Sequence, residues 1–288
     1  MEQSAILTLF LPIALGIIML GLGLSLVIDD FKRVVLYPKA VFIGLLCQMV
    51  ILPVVCFSIT IAFNLPPALA VGLMLLAASP GGATANLFSH LAKGDVALNV
   101  TLTAVNSVLT LFTLPFIVNF AIAHFMQSGQ VVPMQFSKII EVFAIVLVPV
   151  GVGMFIHHKA PTFAKKLEKP VKILSAVFLV LIIIGAILKE RANFLDYFQQ
   201  VGLASLAFNV ISMVLGYFVP MLLHISRKQS IAIGMEIGIH NGTLAIYIAL
   251  NVIGNSEMSI PPAVYSILMF FTAALFGYIV SRNNKQRV

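Results

Sequence analysis

The sequence predicts an all-α membrane protein with nine transmembrane helices, and three observations lead to that fold class. The 288 residues are 60% hydrophobic and only 9% charged, with a mean hydropathy of +1.08, whereas soluble domains carry about a quarter charged residues. Most of the chain consists of apolar runs of about 20 residues, the length that crosses a bilayer as a helix. Since backbone polar groups in lipid must be satisfied within the segment, these runs are predicted to be helical.

The predicted spans leave only short connections between them. They cover residues 5–28, 40–63, 67–91, 96–124, 137–157, 171–188, 200–223, 229–252 and 260–281, and we number them 1 to 9. No connection is long enough to fold as a soluble domain. The first span has no basic leader of the kind that precedes a signal-peptide core, so we expect it to be retained. The lipid bilayer is the expected environment, and no obligate protein partner is evident.

The basic residues predict how the chain crosses the membrane. Fourteen of the 17 lysines and arginines fall on one side of the spans: Lys32, Arg33, Lys39, Lys93, Lys159, Lys165, Lys166, Lys169, Lys172, Arg227, Lys228, Arg282, Lys285 and Arg287. Lys138, Lys189 and Arg191 fall on the other side. Because lysine and arginine accumulate in cytoplasmic loops, we expect an outside amino terminus and a cytoplasmic carboxyl terminus. The net charge of +7 then reflects topology, and no nucleic-acid partner is expected.

Two spans carry helix-breaking residues in the middle of the membrane. Span 3 contains SPGGATAN at residues 79–86, and span 8 contains MEIGIHNGT at residues 235–243. Proline removes a backbone donor and glycine weakens a helix, so both segments are expected to unwind. Interrupted helices at matching positions of two halves are typical of inverted-repeat transporters, whose binding site lies at the breaks.

Glu236 is the one carboxylate predicted deep inside a span. Burying it costs several kcal/mol unless it is neutralised or paired, which favours a cation or proton site over a structural hydrogen bond. Glu141, one turn into span 5, follows Lys138 by three residues and is placed to pair with it. Cys47 and Cys56 share one apolar run and are expected to be buried free thiols.

Span 4 presents polar residues on one helical face. Their spacings of 4, 3, 4 and 3 place them in one stripe: Asn99, Thr103, Asn106, Thr110 and Thr113. The stripe as a whole is compatible with two roles, interhelical hydrogen bonding and ligand binding. Gln48, His240 and Asn241 add polar groups in spans 2 and 8. No zinc, P-loop or nucleophile motif occurs in the sequence, which indicates neither an enzyme nor ATP-driven transport.

With these segments the whole chain resembles the bile acid:sodium symporter family. The resemblance lies in residues 79–86, in KGDVAL at 93–98, in EIGIHN at 236–241 and in GIIMLGLGL at 16–24. It implies a panel of spans 1, 5 and 6 (residues 5–28 and 137–188) and a core of spans 2–4 and 7–9 (residues 40–124 and 200–281). The broken helices 67–91 and 229–252 would cross inside the core. Two sodium ions and an organic anion would move by alternating access, with sodium as coupling ion and no other cofactor.

The resemblance also implies ligands. The first sodium site would use Asn86, Asn99, Thr103 and Glu236, and the second Gln48, Glu236, His240 and the carbonyls of Ile237 and Ile239. The substrate would meet Ala83, Thr84, Asn86, Asn241, Gly242, Thr243, Met269 and Phe270. Four departures from the family pattern bear on these sites: Ala85 and Asn99 replace serines, His240 replaces a glutamine, and Met269-Phe270 replaces a polar pair found in some relatives.

Three functions follow from these residues. The leading hypothesis is sodium-coupled symport of an organic anion, either bile-acid-like or a small carboxylate, in the inner membrane of a bacterium. The first alternative is proton-coupled or uncoupled export of a small carboxylate such as a pantoate-like acid, motivated by His240 beside Glu236. The second is a membrane sensor that binds a ligand without transporting it.

Overall fold

The computed structural model describes residues 5–126 and 136–282, and of residues 5–9, Ala83 and Phe136 it describes the backbone. Lys285 and Arg287 therefore lie outside the described residues. The predicted all-α fold class is confirmed, because the described residues form helices joined by short turns and contain no strand. The thirteen α-helices are α1 Ala5–Ser25, α2 Ile28–Lys32, α3 Pro38–Leu46, α4 Leu52–Ala62, α5 Pro67–Ala77, α6 Ala83–Leu91, α7 Val96–Phe125, α8 Phe136–Lys159, α9 Pro161–Lys189, α10 Phe194–Leu222, α11 Arg227–Gly238, α12 Gly242–Tyr247 and α13 Ile260–Arg282.

Six continuous helical segments among the described residues are long and apolar enough to cross a membrane. They are Pro38–Ala62, Val96–Phe125, Ser137–Lys159, Pro161–Lys189, Phe194–Leu222 and Glu257–Arg282. Phe10–Ser25 forms a seventh if it is counted with Ile28–Val35, from which it is bent by 74°. The predicted spans 3 and 8 consist of shorter helices separated by breaks, so the count of nine crossings stays a prediction.

Two of the helical segments include a π-helical turn. Cys47–Ile51 joins α3 to α4, and Ile248–Ile253 continues α12. A π-turn widens the helix and turns one side chain out of the regular α-helical register, and such turns are frequent at functional sites. Gln48 lies in the first of them and is buried.

Helices α1, α8 and α9 pack against one another and form one group. Gly23 and Gly153 allow α1 and α8 to approach closely: a Cβ atom at Gly153 would lie 2.6 Å from the backbone nitrogen of Leu24. Small residues at such contacts are the usual means of bringing membrane helices together. In the rest of the chain α10 packs on α11 and α13, and α5 packs on α4, α7 and α13.

The connections define two ends of the molecule. At the end that carries most lysines, which we call the basic end, the Asp95 N–H donates to the Lys228 carbonyl at 2.9 Å. The Arg227 guanidinium there donates to the Val280 carbonyl at 2.8 Å. At the opposite end, Tyr247 of α12 donates a hydrogen bond to Glu141 of α8 at 3.2 Å. The predicted Lys138–Glu141 pair is confirmed at 2.7 Å.

Candidate functional site

The two predicted breaks cross each other in the interior. Gly81 and His240 form an isolated antiparallel bridge, and the Asn241 N–H donates to the Pro80 carbonyl at 2.8 Å. Each break therefore provides hydrogen-bond partners for backbone groups of the other break, which the broken helices leave unpaired. Buried backbone groups in a low-dielectric interior need such partners. The half-helices α6 and α11 pack on each other at the crossing.

Glu236 lies in the last turn of α11, beside this crossing, and its side chain is fully buried. The Thr103 hydroxyl of α7 donates to Glu236 Oε2 at 2.6 Å, and the Asn106 amide donates to Oε1 at 3.3 Å. The carboxyl group also lies directly against Gly81, where an added Cβ would be 2.6 Å from Glu236 Cδ. The polar stripe of α7 thus holds the carboxylate on one side and the first break holds it on the other.

Several side-chain amide oxygens around the crossing are buried without a protein hydrogen-bond partner. They are Gln48 Oε1, Asn86 Oδ1, Asn99 Oδ1 and Asn106 Oδ1. The nitrogen ends of three of these amides are occupied: Asn99 donates to the Ala232 carbonyl at 2.7 Å, Gln48 to the Ser79 carbonyl at 3.0 Å, and Asn106 to Glu236. Because buried polar atoms are normally satisfied, unpartnered oxygens beside a carboxylate are candidates for binding a cation.

The donor set fits sodium. Neutral carbonyl oxygens and one carboxylate are hard ligands, which suit alkali and alkaline-earth cations rather than soft metals. Across residues 5–126 and 136–282, apart from the few side chains left undescribed, no group of three histidine, cysteine, aspartate or glutamate residues could hold a metal ion. A single formal negative charge matches a monovalent ion better than a divalent one. Cys47 and Cys56 are buried free thiols, as predicted.

His240 links the two breaks through its ring. Its Nδ1 lies 3.2 Å from the Ser79 carbonyl, to which Gln48 also donates, while its buried Nε2 has no partner in the structure. The ring stacks on Phe208 with centroids 5.7 Å apart, and it contacts Tyr265 at 5.4 Å. Gln48 and His240, predicted together for a second site, are therefore brought to one carbonyl oxygen.

The predicted substrate residues are only partly brought together. The Asn241 side chain accepts from the Leu244 N–H at 3.0 Å and so caps α12. Thr243 and Met269 are buried in the packed interior. Phe270 stacks on Phe88 of α6 with centroids 6.1 Å apart. Gly242 lies against the Ser266 side chain, Thr84 is half-buried, and the side chain of Ala83 lies outside the described residues.

The sequence prediction missed two residues that hold the second break. Asn209 and Tyr265 both donate to the Gly238 carbonyl, at 2.8 and 3.0 Å, and Thr272 in turn donates to Asn209. This carbonyl belongs to the last turn of α11, where no helical N–H follows to satisfy it. Asn209 could have been found as a polar residue in the middle of the apolar span 7. Asn106 was recognised in the stripe but not among the ligands.

Comparison with known proteins gives consistent matches. The sequence model of the Sodium Bile acid symporter family matches residues 12–197. The chain is 30% identical over 282 residues to the uncharacterized sodium-dependent transporter YocS of Bacillus subtilis (strain 168), covering 96% of this chain and 85% of that protein. It is 28% identical over 277 residues to the ileal sodium/bile acid cotransporter of Oryctolagus cuniculus, covering 95% and 79%.

A plant protein is similarly related. The probable sodium/metabolite cotransporter BASS1, chloroplastic, of Arabidopsis thaliana is 31% identical over 259 residues, covering 88% of this chain. This chain spans 62% of the length of that plant relative.

Proposed function

This chain belongs to the Sodium Bile acid symporter family, and we propose that it is a secondary active transporter that couples sodium to the movement of an organic anion. The relatives it matches are named as transporters and not as enzymes. The observation that carries the proposal is the buried Glu236 carboxylate, which lies at the crossing of two broken helices among amide oxygens without partners.

The first sodium ion is assigned to the α7 side of Glu236. Thr103 contacts the carboxylate, and Asn99 is held by its amide nitrogen to the Ala232 carbonyl, so the Asn99 oxygen is free to ligate. Asn86 contributes an unpartnered oxygen from α6, which packs on α11 and α7. Asn106 is added to this set because its amide touches Glu236 and its oxygen has no partner.

The second sodium ion is assigned to the crossing itself. Gln48 Oε1, Glu236 and the carbonyls of Ile237 and Ile239 would supply oxygens, with His240 at the same place. Two sodium ions, the Glu236 carboxylate and a monoanionic substrate sum to zero charge, which lowers the cost of moving them together through a low-dielectric interior.

Alternating access is proposed to move the panel, α1, α8 and α9, relative to the remaining helices as the core. Between these groups, α12 packs on α1 and α9, and Tyr247 of α12 donates to Glu141 of α8. Helix α13 also packs on α9, and α7 packs on α8. These contacts join the panel to the core, and alternating access would require some of them to separate.

The experiment that tests the proposal is thermal unfolding of the purified protein in detergent, titrated with sodium against potassium or choline at fixed ionic strength. A ligand that binds only the folded state stabilises it by mass action, by about 2.7 kcal/mol at one hundred times its Kd. We expect a sodium-specific rise in Tm that Glu236→Gln abolishes and Glu190→Gln, a matched change on a short connection, preserves. A rise that is equal in potassium, or unchanged by Glu236→Gln, would overturn the site assignment.

Proton-coupled or uncoupled export of a small carboxylate is the second candidate function. The observation that favours it is the unpartnered His240 Nε2 beside the two breaks, because an imidazole is a poor ligand for a hard cation and a good proton carrier. Flux of bile acids and small carboxylates in proteoliposomes separates the two. Dependence on a sodium gradient supports symport, and dependence on a pH gradient without sodium supports the alternative.

A further inference from the structure

The first turns of α9 present a row of lysines to the surface. Lys165, Lys169 and Lys172 follow one another at spacings of 4 and 3 residues, which places them on one face of the helix. They line a shallow, open surface cavity on this one helix together with Glu168, Ile173 and Ala176. We call Lys165, Lys169 and Lys172 the lysine row.

The lysine row carries more positive charge than the protein itself neutralises. Glu168 pairs with Lys172 at 2.5 Å. Lys165 and Lys169 form no ion pair with any carboxylate in the described part of the chain. Three lysines against one glutamate leave two positive charges at the cavity. A ligand with a negative charge and several oxygen acceptors would complement them.

The same helical face becomes apolar immediately beyond the lysines. Ile173 is 57% exposed and Val180 is 54% exposed, and Ala176 lies between them, exposed as well. The sequence places the start of the membrane span at residue 171, so the change from lysine to exposed aliphatic side chains coincides with the predicted membrane surface. A ligand that fits this face is anionic at one end and apolar at the other.

We propose that the lysine row binds the headgroup phosphate of one anionic phospholipid, whose acyl chain lies along Ile173, Ala176 and Val180. Each lysine near an anionic surface contributes about 1 kcal/mol of attraction, so the two unpaired lysines alone give about a thirty-fold preference over a zwitterionic lipid. Glu168 opposes this binding, because it neutralises Lys172 and repels the phosphate. The site is independent of the sodium site, since α9 carries none of the residues assigned to sodium.

The test uses the delipidated full chain in detergent, titrated with phosphatidylglycerol and with phosphatidylcholine, with bound lipid counted by native mass spectrometry. We expect one tightly retained phosphatidylglycerol, weakened ten-fold or more in Lys165→Gln/Lys169→Gln/Lys172→Gln. The matched control, Lys39→Gln/Lys93→Gln/Lys228→Gln, removes the same charge from exposed lysines on the same predicted side and should retain the lipid. Equal loss in both triple variants would overturn the proposal.

Two further experiments test the proposal even if the triple variant folds poorly: one further variant and one competition measurement. Glu168→Gln retains every lysine and should bind phosphatidylglycerol several-fold more tightly than the unchanged chain, whereas unchanged or weaker binding contradicts the proposal. Inorganic phosphate and glycerol 3-phosphate serve as competitors. If either displaces the lipid at a concentration similar to that of the lipid itself, the site recognises a free phosphate, and the assignment to a phospholipid fails.

Discussion

Gly81 is a residue of the first break that lies directly against the Glu236 carboxylate. Its Cα lies so near Glu236 that an added Cβ would be 2.6 Å from Cδ and 2.8 Å from Oε2. We expect Gly81→Ala to push the carboxylate out of its position and to weaken sodium-dependent stabilisation by ten-fold or more in apparent Kd. Gly82→Ala is the control, because its Cβ would meet only Thr84 Oγ1 at 3.6 Å. Equal sodium affinity in the two variants would show that the close contact has no role.

Thr103 is the second residue whose contact with Glu236 can be tested singly. Its hydroxyl donates to Oε2 at 2.6 Å, and a hydrogen bond to a charged group contributes about 1.5–3 kcal/mol. We expect Thr103→Val, which keeps the side-chain volume, to reduce sodium affinity by about ten-fold or more in the same titration. Thr101→Val is the matched control on the same helix, because that hydroxyl bonds only within α7, to the Ala97 carbonyl. A comparable loss in Thr101→Val would attribute the effect to the helix and not to Glu236.

The sequence revealed some of these residues and concealed others for a physical reason. Glu236 and the polar stripe stand out because a polar group in an apolar span is costly and therefore conspicuous. Asn106 lay in the stripe, but helical periodicity identifies a face and not the atom that each side chain reaches. Tyr265 was missed because a tyrosine in an apolar helix ordinarily packs through its ring, and only the structure places its hydroxyl at the Gly238 carbonyl.

At the scale of elements, the positions of both breaks were predictable from proline, glycine and polar residues, whereas other helix limits were not. The helix α9 begins at Pro161, well before the predicted limit at residue 171. Residues 161–170 were left out of the predicted span because their lysines lower the hydropathy. Lysine is nevertheless a good helix former, and proline is favoured in the first turn, so the helix extends through the lysine-rich segment. The bend of 74° after Ser25 was likewise missing from the prediction, because span 1 was assigned from its hydropathy alone.

The contact between α8 and α12 is the element-scale feature that bears on transport. If Tyr247 and Glu141 help to hold one end closed, Tyr247→Phe should favour opening at that end, since a hydrogen bond contributes about 1 kcal/mol and shifts a two-state equilibrium about five-fold. The measurement is the rate at which a membrane-impermeant maleimide, added from that side, labels Thr243→Cys on α12. Cys47 and Cys56 are buried and should give little background.

The control for this prediction is Tyr217→Phe in the same Thr243→Cys chain. Tyr217 packs through its ring on Phe218 and Phe276 within the core group of helices, so loss of its hydroxyl should leave the labelling rate unchanged. Faster labelling in Tyr247→Phe alone supports a role for the α8–α12 contact in closure. The same rate in both variants would mean that closure does not depend on this hydrogen bond.

At the scale of the whole molecule, the sequence indicated the orientation of the helices across the membrane, but not which helices pack against one another. Basic residues predict which ends of the helices share a side, and hydrogen bonds such as Asp95 to Lys228 agree with that grouping. The packing of α1 on α8 depends on close approaches at Gly23 and Gly153, and that of α1 on α9 on a close approach at Gly21. Glycines in an apolar span do not reveal their partner helix. The division into a moving core and a panel therefore rests on the resemblance to the symporter family. Testing it requires an experiment that detects or blocks movement between the two groups of helices.

A cross-link between the two groups of helices would separate binding from transport. In Glu141→Cys/Tyr247→Cys, a bis-maleimide joins α8 to α12 at the place where the structure has them in contact. Because Glu236 and its surrounding oxygens lie at the crossing of the breaks, we expect the cross-linked protein to retain sodium-dependent stabilisation. It should nevertheless lose sodium-driven uptake in proteoliposomes, since alternating access requires this end to open. The two single-cysteine variants, treated with the same reagent, should transport as they did before treatment. If the cross-linked chain transports at an undiminished rate, α8 and α12 do not separate during the cycle, and the proposed division of panel and core is wrong.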